Sequence, residues 1–438
     1  MLRPYPVLSG VVLRTSGMSF VLFLLYVLVG LATITVVWLL YRYWQERRYR
    51  RRPYVASAAQ AGTVTPLPTE KPTHSIALVG DLGAVATNGR DPVINLLQGW
   101  QQHTGAAGTV VILGDNVYPT GLPAPTHPGR ADAEQRLNVQ LDALRSFAGQ
   151  VVFLSGNHDW NKGRRDGYEY VLRQEAYVRD HLPKAHYLPA RGCPGPVTLQ
   201  LPDQILLVVL NTQWWVQHGP RPLGDAYGCT ATTSREPFEQ LRQVLVANQH
   251  QRIVVAGHHP LYSNAMHGGQ FTTKQHVFPL LAVHKKAYVP LPVIGSLFPA
   301  YRRVVGAAED MAHPRYRAMR RRLLRVLREF PNVLYAAGHD HNLQYFQRRG
   351  GHYLVSGSGS KTAFVQKGNK ATFTHEHKGF FVVEFYANGE TWLRTLEPGN
   401  ADGTTQAAEP FRGRLYTAAP TLAEASAHAG SAESSPLQ

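Results

Sequence analysis

Thr109-Val110-Val111-Ile112-Leu113-Gly114-Asp115-Asn116-Val117-Tyr118 runs from β-branched and aliphatic residues into a glycine, a carboxylate and a tyrosine. The apolar run reads as a buried strand. Gly114 permits a sharp turn at its end, so Asp115 and Tyr118 sit where the strand stops. Four other apolar runs close in the same way. They lead into Gly80-Asp81-Leu82-Gly83, Gly156-Asn157-His158-Asp159, Gly257-His258 and Gly338-His339-Asp340-His341. Any one of these is weak evidence, because an Asp after a strand usually caps a helix and a lone His usually belongs to the core. As an ordered set they supply two Asp, a Tyr, an Asn and several His, which is the ligand set of a site for two metal ions. Asp115 is placed to serve as the bridging carboxylate. Residues i and i+2 of an extended segment face the same side, so His339 and His341 can turn to the metals together.

Working outward, strands are expected at 75–79, 109–113, 151–154, 205–210, 252–256, 332–336, 352–356 and 380–386. Amphipathic helices are expected at 92–102, 133–147, 168–181, 237–248 and 314–330. The alternation implies an α/β fold with sheet layers covered by helices. The motifs then gather along one sheet edge, where open α/β sheets place ligands.

The chain has 438 residues and a formal net charge of +16. Its basic residues are clustered: six arginines lie between Arg42 and Arg52, and seven between Arg315 and Arg328. No nucleic-acid signature accompanies either cluster, so nucleic acid is not an expected partner. Cys193 and Cys229 are the only cysteines, which excludes a Cys-rich zinc module and leaves both a bridge and two free thiols open.

Residues 15–41 carry no charge, and 19–41 is long enough to cross a bilayer, which takes about 20 apolar residues. A cleaved signal peptide would have a shorter apolar stretch and a small-residue site after it. Here bulky, basic residues follow, so a retained single-pass anchor is expected. The expected organisation is a tail at 1–18, a transmembrane helix at 19–41, a basic juxtamembrane segment and linker at 42–74, one folded domain at 75–397, and a mostly disordered tail at 398–438. The arginines after the span favour a cytoplasmic body by the positive-inside bias, whereas a disulfide would favour the opposite face.

With these residues in view, the chain resembles the calcineurin-like metallophosphoesterases, and within them the purple (tartrate-resistant type) acid phosphatases. The general superfamily has a His at the position of Gly83. This chain has Gly83 there and Tyr118 three residues after Asp115, as the purple enzymes do. The resemblance implies a four-layer α/β/β/α sandwich of mixed sheets. It places Asp81, Asp115, Tyr118 and His341 around a ferric ion, and Asp115, Asn157, His258 and His339 around a divalent Fe, Zn or Mn. His158 and His267 become the residues for phosphate binding and general acid catalysis. Asp159 and Asp340 are expected to orient histidines, and His259 to point away from the metals.

The implied activity is hydrolysis of phosphate monoesters by a metal-bound hydroxide. Phosphodiester or nucleotide pyrophosphate hydrolysis is the alternative on the same core, and an inactive domain binding a phosphorylated ligand is the alternative of another class. The family's habit of working outside the cytoplasm favours an extracytoplasmic body. An insertion at about 275–331 departs from the family pattern. It is read as an ordinary packed insertion, with a loop resting on the membrane as the other reading.

Overall fold

The structure, a computed structural model, describes residues 15–50, 52–282, 284, 286–291, 294–399 and 407–417. The expected tails before residue 15 and after 417 lie outside these residues. Elements are numbered in chain order. One mixed sheet runs, in spatial order, β15 (Arg412–Tyr416), β14 (Thr391–Leu396), β13 (Phe380–Phe385), β2 (His74–Val79), β3 (Gly108–Ile112), β4 (Gln150–Phe153) and β5 (His186–Tyr187). The other runs β1 (Tyr54–Val55), β12 (Phe373–His375), β10 (Leu343–Arg348), β11 (Gly351–Ser356), β9 (Val333–Ala337), β8 (Arg252–Ala256), β7 (Ile205–Val209) and β6 (Val197–Leu201).

Each sheet contains a run of parallel strands: β2 to β5 in the first, and β7, β8, β9 and β11 in the second. Apart from the two-residue edge strand β5, where His186 is exposed, they are mainly apolar on both faces, as strands buried on both sides must be. The period of two separates their side chains. Ile76 and Leu78, Val111 and Leu113, and Val152 and Leu154 meet Leu207, Val209, Val254, Ala256, Leu334 and Ala336 between the sheets. The alternate residues of β2, β3 and β4 meet α3 (Pro92–Thr104), α4 (Arg130–Arg145) and α5 (Gly167–His181). On the far side, β7, β8 and β9 pack on α6 (Gln213–Val216), α7 (Glu236–Ala247) and α10 (Pro314–Leu327). The result is the expected α/β/β/α order. Local chemistry sets the helix starts: Asp91 accepts from the backbone N–H groups of Val93 and Ile94, and Pro92 takes the first helical position, where its missing N–H costs nothing.

The ends of the chain are more structured than the sequence reading had them. The apolar helix α1 is Thr15–Tyr49 and runs through the juxtamembrane arginines. Within 42–74, β1 pairs with β12, and α2 (Ser57–Val64) packs beside β15. Past 397, β15 pairs with β14. The insertion divides into two parts. Helix α10 buries Tyr316, Met319, Leu323 and Leu327 in the core, whereas α8 (Thr273–Val277) and α9 (Leu297–Val304) form an outer segment before it.

Cys193 and Cys229 are joined by a disulfide across 36 residues of sequence. A loop of that length restricts the unfolded chain by roughly 3–4 kcal/mol. The Cys193→Ala/Cys229→Ala double variant is therefore expected to lose about that much in reversible denaturant unfolding. An unchanged midpoint would show that the bridge adds nothing to stability.

Candidate metal centre

The five motifs leave the C-terminal ends of β2, β3, β4, β8 and β9, and the two sheets lean together at those ends. Asp81 Oδ2 accepts from the backbone N–H of His339, 2.8 Å away, which ties the first sheet to the second. Asp81, Asp115 and His339 all have positive φ, at 61°, 55° and 71°. Non-glycine residues seldom adopt that region, and such strain gathers at functional sites.

Two groups of donors surround Asp115. On one side the Tyr118 hydroxyl lies 2.8 Å from Asp81 Oδ1, 3.1 Å from Asp115 Oδ2 and 2.9 Å from His341 Nε2. On the other, His258 Nε2 lies 3.4 Å from Asp115 Oδ1, 3.0 Å from Asn157 Oδ1 and 3.2 Å from His339 Nδ1. His339 Nδ1 is in turn 3.1 Å from Asn157 Oδ1. Asp81, Asp115 and His258 offer ligand atoms within 4.8 Å of one another, all buried.

The tautomers in the second group follow from its outer partners. His258 Nδ1 faces the Leu113 carbonyl at 2.8 Å and His339 Nε2 faces the Glu309 carbonyl at 2.9 Å. Each must donate there, so His258 Nε2 and His339 Nδ1 carry lone pairs. Asn157 Nδ2 donates to Glu309 Oε1 at 3.0 Å, which turns Asn157 Oδ1 inward. Two imidazole lone pairs, an amide oxygen and a carboxylate oxygen therefore converge with no proton among them. Acceptors so arranged fit a cation, and the N/O set fits a first-row transition metal.

Electrostatics agree. Burial, then the neighbouring Asp115, pushes the Asp81 carboxyl well above the usual carboxylate range. Burial, then the two carboxylates, pushes the Tyr118 phenol well up. Burial holds His339 well below the ordinary imidazole range and His341 at about 4. A cation at the site would reverse the direction for Asp81 and Tyr118, since a bound ion is the largest local charge.

Gly83 lies tight against the loop that carries the tyrosine. A methyl group there would lie 2.7 Å from the Asp115 carbonyl oxygen and the Tyr118 nitrogen, and 2.8 Å from the Tyr118 ring. Two of those three contacts are with backbone atoms, so a side chain at 83 would displace the Asp115–Tyr118 loop itself. Gly156 plays a similar part, since its Cβ would fall 2.3 Å from Asp115 Oδ1.

The outer histidines lie on opposite sides. The His158 ring meets that of Tyr118 edge-on at 4.4 Å, with Nδ1 against the Pro119 carbonyl at 2.6 Å. The His267 ring lies 4.2 Å from that of His339, with Nδ1 3.0 Å from Asp310 Oδ1. Burial lowers the His267 pKa, but the Asp310 hydrogen bond and the charges of Asp340 and Glu309 outweigh it and bring the ring to about 8. His259 turns away as expected and bonds Thr212 at 2.9 Å.

Two expectations need correcting. Asp159 does not orient a histidine. Its carboxylate accepts from the backbone N–H groups of Asn116, Val117 and Gly156 and from Gln174 Nε2, pinning two motif loops together. Asp340 Oδ2 accepts from Ser263 Oγ, and Oδ1 faces the His267 backbone N–H at 3.4 Å. It fixes the loop carrying His267, not the ring.

Three residues escaped the sequence reading. Glu309 and Asp310, from the insertion, touch Asn157, His339 and His267. Lys361 Nζ lies 3.4 Å from the centre of the Tyr118 ring. None stands in a motif, and only their distance in sequence from the site hides them.

The model of the calcineurin-like phosphoesterase family matches residues 74–295, more than half of the chain, and the chain belongs to that family. Among curated relatives, tartrate-resistant acid phosphatase type 5 of Sus scrofa is 24% identical over 263 residues, covering 59% of this chain and 60% of the relative. The Mus musculus protein of the same name is 25% identical, with 59% and 62% covered. The chain thus spans about three-fifths of the length of these relatives. Among solved structures, GAP50, the anchor in the inner membrane complex of Plasmodium, aligns at a TM-score of 0.49 and 16% identity, covering 82% of this chain and 95% of that one. Purple acid phosphatase PPD1 from yellow lupin aligns at 0.49 and 14%, covering 85% and 58%.

Removing the Asp159 carboxylate leaves several buried donors without a partner, each costing about 1–3 kcal/mol. Asp159→Ala is expected to lower the thermal midpoint sharply, and Asp159→Asn less so. A midpoint unchanged in Asp159→Ala would show that this carboxylate does not hold the loops.

Proposed function

We propose that the protein is a membrane-anchored, two-metal phosphatase acting on phosphate monoesters. The observation that carries this is the convergence of buried nitrogen and oxygen donor atoms on both sides of Asp115. In this reading Asp81, Asp115, Tyr118 and His341 hold a ferric ion, and Asp115, Asn157, His258 and His339 hold a divalent Fe, Zn or Mn. Such a metal pair, when bound, lowers the pKa of water and neutralises phosphoryl charge.

The chain's own residues do the rest. Glu309 orients Asn157 and His339 through one side-chain and one backbone acceptor. His158 and Lys361 flank the Tyr118 side and present donors to the phosphate. His267, with Nδ1 committed to Asp310, keeps Nε2 for the proton that the leaving oxygen needs. The apolar helix α1 is the anchor, and the Cys193–Cys229 bridge supports an extracytoplasmic body.

Purified full-length protein is expected to bind two transition-metal ions per chain and to hydrolyse p-nitrophenyl phosphate. Asp115→Ala and His258→Ala should abolish hydrolysis, and His267→Ala should lower kcat by about 10²–10⁴. An unaffected rate in His258→Ala refutes the site.

The Tyr118–iron bond is tested by colour. The iron-loaded protein should show a visible charge-transfer band that Tyr118→Phe removes. An active, colourless, iron-free protein would keep the phosphatase and reject the iron.

For Lys361→Ala, KM should rise several-fold with a smaller change in kcat. A change confined to kcat would remove Lys361 from phosphate binding.

A further inference from the structure

The outer half of the insertion carries apolar surface that the body does not cover. On α9, Leu297, Tyr301 and Val304 are 67%, 52% and 68% exposed. Their i, i+4, i+7 spacing puts them on one helical face. Ile294 just before α9 and Val305 just after it extend the same surface, at 64% and 49% exposed. The opposite side of α9 is held inward. Pro299 is buried, and Arg302 pairs with Asp310, its Nε 2.6 Å from Oδ2. The helix is therefore oriented, with its apolar face turned outward.

The end of α1 reaches the same outer segment. Glu46 is buried at 4% exposure and accepts from the N–H of Thr273 at 2.8 Å and its hydroxyl at 2.6 Å. This clamps α1 to the start of α8. Glu46 is five residues past Tyr41, the last residue of the uncharged stretch, about 8 Å along the helix axis. One turn before Glu46 is Arg42, the first charged residue after the apolar stretch, and this end of α1 packs on α8, which carries His276. His276 Nδ1 is in turn 3.0 Å from Ser296 Oγ, the residue before α9. Helix α8 thus links the end of α1 to the start of α9.

The junction also has the composition of a membrane interface. Trp38, Tyr41, Tyr43 and Trp44 are exposed around α1, and Arg42, Arg47 and Arg48 lie over Trp38, Tyr43 and Trp44. Aromatic residues favour the headgroup level, and adjacent cations favour anionic lipid.

We infer that α9 and its flanks form a second membrane contact, with Leu297, Tyr301 and Val304 seated in the lipid interface beside the helix that spans it. The inference rests on the reading of α1 as a membrane span. A solvated amphipathic helix would turn its polar side outward and its apolar side to the body; here Arg302 is turned inward, on Asp310, and the apolar residues face out. The same segment supplies Glu309 and Asp310 to the candidate metal centre, so the element resting on lipid is the one that borders the site.

The test uses full-length protein in phosphatidylcholine/phosphatidylglycerol vesicles. Because the two native cysteines are bonded to each other, single introduced cysteines can carry an environment-sensitive fluorophore. Leu297→Cys and Val304→Cys are the test positions. Val29→Cys reports the span, and Val246→Cys on α7, 43% exposed, reports the solvated body. The labelled Leu297→Cys and Val304→Cys proteins should show a blue-shifted emission, several-fold weaker quenching by aqueous iodide than Val246→Cys, and quenching by spin-labelled lipid.

If Val29→Cys is protected while Leu297→Cys and Val304→Cys are as open to iodide as Val246→Cys, the span stands and the inference is overturned. Protection from iodide without quenching by the lipid label would mean that protein covers the face, and also overturns it. An open Val29→Cys would remove the span, and the inference with it.

Discussion

The two oxygens of Asp115 face different neighbours, Oδ2 towards Tyr118 and Oδ1 towards His258, and much of the structure serves to hold that carboxylate in place. Its backbone has positive φ, and the His158 N–H donates to its Oδ1 at 2.9 Å. Gly156 has no side chain because one would fall on that oxygen. A buried carboxylate is costly unless charge and hydrogen bonds compensate it. Here compensation comes from residues on strand ends of both sheets, so the site forms only when the sandwich has closed.

That requirement accounts for the arrangement around it. Asp159 ties the loop after β3 to the loop after β4 by accepting backbone N–H groups from both. Asp81 ties the end of β2 to the end of β9. Gly83 shows how tightly space is shared: a side chain there would meet the Asp115 carbonyl oxygen, the Tyr118 nitrogen and the Tyr118 ring.

Much of the scaffold was legible because strands buried on both faces are continuous apolar runs, and each of the five motif strands is of that kind. Strands β6, β10, β14 and β15 were not. Leu343-Gln-Tyr-Phe-Gln-Arg and Arg412-Gly-Arg-Leu-Tyr mix polar and apolar residues, and only their partners make them strands. The second group of donors reads clearly in the motifs, yet the carbonyls and carboxylate that set their tautomers do not. Glu309 and Asp310 lie about 50 residues after His258 in an insertion without a motif, and Lys361 sits in a loop after β11.

From the sequence alone came the number and order of the strand ends, the chemical type of each donor, and an apolar stretch long enough for a bilayer. These are properties of short segments, because strand burial and donor chemistry depend on residue type and local period. Tertiary structure alone decided which lone pairs face one another, which acids reach the site from the insertion, and where Glu46 clamps α1. It also decided that the apolar face of α9 turns outward. Those outcomes depend on contacts between residues far apart in the chain, and a one-dimensional pattern holds no distance between them.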